Sequence, residues 1–247
     1  MNKKKIRARQ LGIPFDGFTG TFNAITDVPG VLVGEKTLIT GLPPLKPGKG
    51  PIRTGVTSIL PKGFEKEPQP VWAGQYSLNG NGEMTGTHWI KDGGYFVGPI
   101  CLTNTNNVGI THHSTNKWFL EHFREYFEKD HLWAMPVIAE TYDGVLNDIN
   151  GQHIKESDVH EAIIKAKTGM VKEGNSGGGT GMIAYEFKGG TGTSSRIVDV
   201  EGEKFTVATL VQANHGIRPW LNILGVPVGK HLNNNRLDKV FATSELG

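Results

Sequence analysis

The sequence predicts a layered α/β domain, and three observations carry that prediction. Short strand-like runs recur between glycine-rich turns, several of these runs are apolar on both alternations, and two amphipathic helical segments lie among them. Strands that are apolar on both faces must be covered on both faces, which calls for helices or a second sheet on each side.

The strand-like runs fall at residues 31–33, 56–60, 99–103, 134–140, 182–187, 197–200 and 205–212. Val137-Ile138-Ala139 has no polar alternate, as expected of a strand buried on two sides. Residues 117–129 place Phe119, Leu120, Phe123, Tyr126 and Phe127 on one stripe at helical spacing. Ser114, Thr115 or Asn116 would cap that helix. A second helix runs from residue 158 to about 168. Asp158 with Glu161 reads as a capping box, Val159, Ala162, Ile163 and Ala166 form the buried face, and Gly169 is a natural stop. After Gly229 the chain reads as a loop, with Asn233-Asn234-Asn235 favouring a turn and no apolar run closing a packed element.

Bulk properties bound the function. There are 34 glycines among 247 residues, about twice the ordinary share of roughly 7%, and they sit in turns without a collagen period. Neither an internal repeat nor a low-complexity linker divides the chain, so residues 1–247 read as one domain. The 26 basic and 24 acidic residues balance to a net charge of +2, which argues against a nucleic-acid partner. The basic residues Lys3, Lys4, Lys5, Arg7 and Arg9 are followed by no apolar secretory segment, and no long apolar window would span a membrane. The lone Cys101 lies in an apolar run and forms no internal disulfide. A cytoplasmic protein fits these features.

Several strings could carry chemistry. Gly174-Asn175-Ser176-Gly177-Gly178-Gly179-Thr180-Gly181 resembles a phosphate cradle, but no Gly-Lys-Ser/Thr follows it. The same string matches G-x-S-x-G at Ser176, yet glycines and a strand-like run follow where a nucleophile elbow needs a helix. It reads as a structural loop. His112-His113 lacks a third ligand at helical spacing, so no metal site and no cofactor are expected. Four polar strings adjoin predicted strands: Asn79–Glu83 by number 79–83, and likewise 103–107, 140–144 and 212–216. Amides and hydroxyls at strand ends beside glycines line clefts in α/β folds, and such groups can donate to a developing oxyanion. No histidine joins a recognisable nucleophile to form a triad.

Taken in order, Arg9-Gln10-Leu11-Gly12-Ile13, Asn23-Ala24-Ile25-Thr26-Asp27-Val28-Pro29-Gly30-Val31, Leu78-Asn79-Gly80-Asn81-Gly82-Glu83-Met84-Thr85-Gly86, Ala139-Glu140-Thr141-Tyr142-Asp143-Gly144 and Leu210-Val211-Gln212-Ala213-Asn214 resemble one family. Leu102-Thr103-Asn104-Thr105, Leu146-Asn147-Asp148-Ile149, Gly178-Gly179-Thr180-Gly181-Met182 and Phe187-Lys188-Gly189-Gly190 belong to the same pattern. It is that of the self-processing aminopeptidases that include the L-aminopeptidase/D-esterase-amidases and the β-peptidyl aminopeptidases. The resemblance extends from about residue 7 to residue 232.

The resemblance implies a four-layer α/β/β/α sandwich, like the N-terminal-nucleophile hydrolases but differently connected. It further implies that the chain is the larger product of a precursor cut after Gly247. A smaller partner chain would begin with the catalytic serine, whose own α-amino group serves as base. Tyr142 and Asn214 are then the expected oxyanion donors, and Trp133 a wall of the substrate pocket. Peptides or amino-acid amides would be the substrates, and paired chains would assemble into homo-oligomers. The competing expectations are an ornithine-acetyltransferase-like acyl transferase with a threonine nucleophile, and a non-catalytic binding module.

Overall fold

A computed structural model describes residues 6–232. Its strands and helices run β1 (Leu32–Thr40), β2 (Ile52–Leu60), β3 (Pro70–Trp72), α1 (Thr87–Gly93), β4 (Tyr95–Val97), β5 (Ile100–Asn104), α2 (Val108–His122), α3 (Arg124–Lys129) and β6 (Val137–Thr141). They continue with α4 (Glu156–Ile164), β7 (Ile183–Ala184), β8 (Phe187–Lys188), β9 (Gly190–Val200), β10 (Glu203–Ala213) and α5 (Val228–His231). Residues 233–247, and with them the expected cleavage position at Gly247, lie outside the described residues.

The central sheet has the order β1-β2-β5-β6, antiparallel except for the parallel β5–β6 pair. One face is covered by α2 and α4. Val56, Leu60, Cys101 and Ile138 from the sheet meet Trp118, Phe119, Val159, Ala162 and Ile163 from the helices. The opposite face carries Val33 and Ile59, against which Ile100 and Leu210 pack. Leu210 belongs to β10, which pairs with β9 in an antiparallel ribbon that forms the second β layer. The helix layer and both β layers of the expected sandwich are therefore present. On the ribbon's outer side Phe205, Val207 and Val211 point away from the sheet and are about half exposed.

The glycine run fills the space between the two β layers. A Cβ at Gly177 would overlap the Thr57 hydroxyl, at Gly178 it would lie 2.8 Å from the Leu102 carbonyl, and at Gly179 it would overlap the backbone of Thr191. From the facing strand, a Cβ at Gly55 would overlap the Lys36 and Gly177 carbonyls. Only bare backbone fits between sheets this close. Hydrogen bonds fix the insertion: Gly177 N donates to Thr37 Oγ1 at 2.8 Å and Gly178 N to Thr57 Oγ1 at 3.1 Å.

Three sequence expectations need correction. The helix expected over 117–129 begins at Val108 and breaks at Phe123, giving α2 and α3. Its first half was missed because the buried face is made of hydroxyls rather than aliphatic groups. Ser114 donates to the Ile110 carbonyl at 2.7 Å, and Thr115 donates to the Cys101 sulfur at 3.5 Å. Asp158 is not the N-cap of α4 but its third residue, reaching back to accept from Lys155 N at 2.9 Å. The strand expected over 182–187 is instead the tight hairpin β7–β8, turned by Tyr185 (φ 52°) and Glu186 (φ 60°). Two consecutive left-handed residues make the hairpin twist match that of its strands. Among the described residues no helix is long and apolar enough to cross a membrane.

Candidate active site

Tyr142 follows β6 and Asn214 follows β10, so the two strands that belong to different β layers deliver them to the same end of the molecule. They meet in a cleft of about 260 Å³ lined also by Val145, Gly181, Ile183, Glu186, His215 and Gly216. Asn214 clamps the Tyr142 peptide from both sides. Its Oδ1 accepts from Tyr142 N at 3.0 Å, and its Nδ2 donates to Tyr142 O at 3.0 Å and to Ile183 O at 3.2 Å. Both amide hydrogens are engaged with protein carbonyls. The side chain of Asn214 therefore holds the Tyr142 peptide in place, and Tyr142 itself is half exposed.

The residue after Tyr142 turns inward. Asp143 is buried, with Oδ1 accepting from Asn147 Nδ2 at 2.9 Å and Oδ2 from Asn104 Nδ2 at 3.2 Å. Burial pushes its carboxyl above the usual carboxylate range, although the bonds from Thr54, Asn147 and Asn104 oppose that shift. The Asp143 carbonyl accepts from Leu146 N at 3.1 Å and Asn147 N at 3.0 Å, so the turn closes on itself. The far wall of the cleft is the β7–β8 hairpin. Arg218 pins it, donating to the Glu186 carbonyl at 2.7 Å with its guanidinium 4.0 Å from the centre of the Phe187 ring. Sequence reading passed over Arg218, and a single buried arginine in a loop leaves no pattern to find.

The Trp133 ring meets Trp89 edge-on, with centroids 4.7 Å apart, and Trp133 is not among the residues lining the Tyr142–Asn214 cleft. Ser176 is remote from that cleft. It is buried, and its hydroxyl donates to Glu35 Oε2 at 2.7 Å beneath the glycine turn. A larger cavity of about 970 Å³ includes Ser176 in its wall together with Arg7, Glu173 and Arg196. Three of its charged side chains are engaged internally: Arg7 pairs with Glu173 at 2.9 Å, and Arg196 donates to the Asp16 carbonyl at 2.6 Å. No group of three or more potential metal-ligating side chains occurs among the described residues.

The cleft sets a tyrosine on a hydrogen-bonded turn beside the apolar side chains of Val145 and Ile183 and the polar ones of Glu186 and His215. None of the described residues that line it is a serine, threonine, cysteine or lysine.

Comparison with known proteins places this arrangement. Residues 23–243 match the model of peptidase family S58. The β-peptidyl aminopeptidase BapA of Sphingosinicella microcystinivorans is 50% identical over 237 residues, which are 96% of this chain and 58% of that protein. The L-aminopeptidase D-Ala-esterase/amidase of Ochrobactrum anthropi, described as a new variant of the Ntn hydrolase fold, superposes with a TM-score of 0.90 at 55% identity, covering 94% of this chain and 64% of its own. A β-aminopeptidase of a Burkholderia species superposes with a TM-score of 0.82 at 45% identity, over 93% of this chain and 63% of the other. The chain thus spans less than two thirds of the length of these relatives. With two β layers, a helix layer and a family pattern running through β1 to β10, the chain belongs to peptidase family S58 and has the Ntn-type fold of its aminopeptidases.

Proposed function

We propose that this chain is the large subunit of a self-processed serine aminopeptidase or amidase, supplying the oxyanion site while the nucleophile comes from the remainder of the precursor. The observation that carries the reading is the cleft itself, which holds Tyr142 on a clamped turn yet has no serine, threonine, cysteine or lysine among its described lining residues. The relatives' greater length, and their names as aminopeptidases, point the same way.

In this reading a serine at the start of a second chain, released by self-cleavage of the precursor, enters the cleft. Its α-amino group, with an ordinary pKa of about 7.7–8.0, takes the hydroxyl proton near neutral pH. Attack on the substrate's amide or ester carbonyl places negative charge on the carbonyl oxygen, and the Tyr142 phenol donates to it. Asn214 keeps the phenol's backbone still. The collapse of the tetrahedral intermediate expels the amine or alcohol, and water then releases the acyl group. The second chain would also cover the exposed outer face of the ribbon at Phe205, Val207 and Val211, forming the fourth layer. We place the enzyme in the cytoplasm as a homo-oligomer of paired chains, with Trp133 as a wall of the substrate pocket in that assembly and no cofactor in the reaction.

The test is Tyr142→Phe in the full-length protein, assayed on amino-acid p-nitroanilides. Loss of a donor to the oxyanion is expected to lower kcat by about 100- to 1,000-fold, with KM nearly unchanged. A change confined to KM would make Tyr142 a ground-state binding residue instead.

A further inference from the structure

Gly144 lies two residues beyond Tyr142, and the phenol is folded back over it. A Cβ built at Gly144 would overlap the Tyr142 hydroxyl and the ring carbon that bears it, and would stand 2.9 Å from Cε2. Backbone conformation does not explain a glycine here, because Gly144 is not in the left-handed region, unlike many of the other glycines of the chain. What a side chain would displace is the ring. The rest of the turn is already immobilised: Asn214 holds the Tyr142 peptide, and the buried Asp143 anchors the next residue through Asn104 and Asn147. With the backbone fixed on both sides, only rotation about the Tyr142 side-chain bonds can move the hydroxyl.

We propose that Gly144 is a positioning residue for the active-site hydroxyl: its bare α-carbon is the seat on which the Tyr142 ring rests, with Asp143 fixing the seat to the core. This rests on the reading of Tyr142 as an oxyanion donor. An alanine at 144 is compatible with the backbone but evicts the ring, since the ring is the movable partner. Displacement of a donor by about 1 Å can cost on the order of 100-fold in rate without altering substrate binding.

A double-mutant cycle on the full-length protein tests this, using L-alanine, D-alanine and β-alanine p-nitroanilides as probes. Gly144→Ala is expected to lower kcat by about 10- to 100-fold with KM within about threefold of wild type, and to have less than about a threefold further effect in a Tyr142→Phe background. A Gly144→Ala enzyme with wild-type kcat, beside an impaired Tyr142→Phe enzyme, would overturn the proposal and leave the function intact. An equal loss in both backgrounds would overturn it too, since the effect would then bypass the hydroxyl. Wild-type turnover by Tyr142→Phe would overturn the reading of Tyr142 and the proposal with it. Should Gly144→Ala not fold, adding Tyr142→Ala removes the overlap and is expected to restore folding; failure to restore it would count against the seat.

Discussion

Replacing Asn214 separates a holding role from a donating one. Asn214→Ala removes one accepted and two donated hydrogen bonds, to Tyr142 N, Tyr142 O and Ile183 O, at 3.0, 3.0 and 3.2 Å. Tyr142 is half exposed, so water can replace part of what is lost. At about 0.5–1 kcal/mol per bond, the loss amounts to roughly 1.5–3 kcal/mol of turn stability. Asn214→Asp is the sharper variant. One carboxylate oxygen can still accept from Tyr142 N, but the other then faces two carbonyl oxygens where Nδ2 stood. Repulsion replaces two attractive contacts, so Asn214→Asp is expected to be more destabilising than Asn214→Ala at neutral pH. The same contacts raise the new carboxyl's pKa, because only the protonated form can donate. A raised folded-state pKa gives stability that is present at low pH and lost as pH rises through that pKa, so the variant recovers toward wild type on acidification. Thermal unfolding followed by circular dichroism across pH reads this directly. If Asn214→Asp matched wild type at neutral pH, the clamp described here would be wrong.

Other expectations follow from the packing and charges. Gly55→Ala drives a Cβ into two backbone carbonyls between the β layers and should cost about 3 kcal/mol or more, lowering Tm by roughly 6–12 °C. Unchanged Tm would mean the layers can separate freely. Glu161 accepts from Lys165 and from Lys36, which hold its carboxyl at about 2 rather than 4.5. A depressed carboxylate pKa stabilises above the unfolded value and loses that contribution as pH falls. Glu161→Gln should therefore flatten the stability profile between about pH 4.5 and 2, and an unchanged slope would place the acid sensitivity elsewhere.

The sequence made the central sheet legible because β5 and β6 begin with apolar runs and β2 ends in one broken only by Thr57 and Ser58, with Val56, Cys101 and Ile138 turned toward the helices. It showed only part of β9. Residues 190–195 read as glycine, threonine and serine, and the inward face is Thr191, Thr193 and Ser195, buried hydroxyls that replace an apolar stripe. Thr193 Oγ1 donates to Thr209 O at 2.6 Å while accepting from Ile25 N at 2.7 Å, Thr191 Oγ1 donates to Ser176 O and Ser195 Oγ to Asp27 Oδ2, so these small polar groups are satisfied by their neighbours and let the layers come close. Hydropathy cannot register such a face. The site was readable only through the family pattern, because Tyr142 and Asn214 are 72 residues apart and meet through the layering of two sheets. The seat at Gly144 depends on where a ring lies, which no spacing encodes.

The central claim is that this chain provides the oxyanion site but not the attacking group. The direct test measures p-nitroanilide hydrolysis by residues 1–247 alone, by the full-length protein, and by each carrying Ser176→Ala. The account predicts no turnover above background from the chain alone, turnover from the full-length protein, and no loss in that protein on changing Ser176. Full turnover from the chain alone that disappears with Ser176→Ala would contradict it, and would put the nucleophile in the glycine turn.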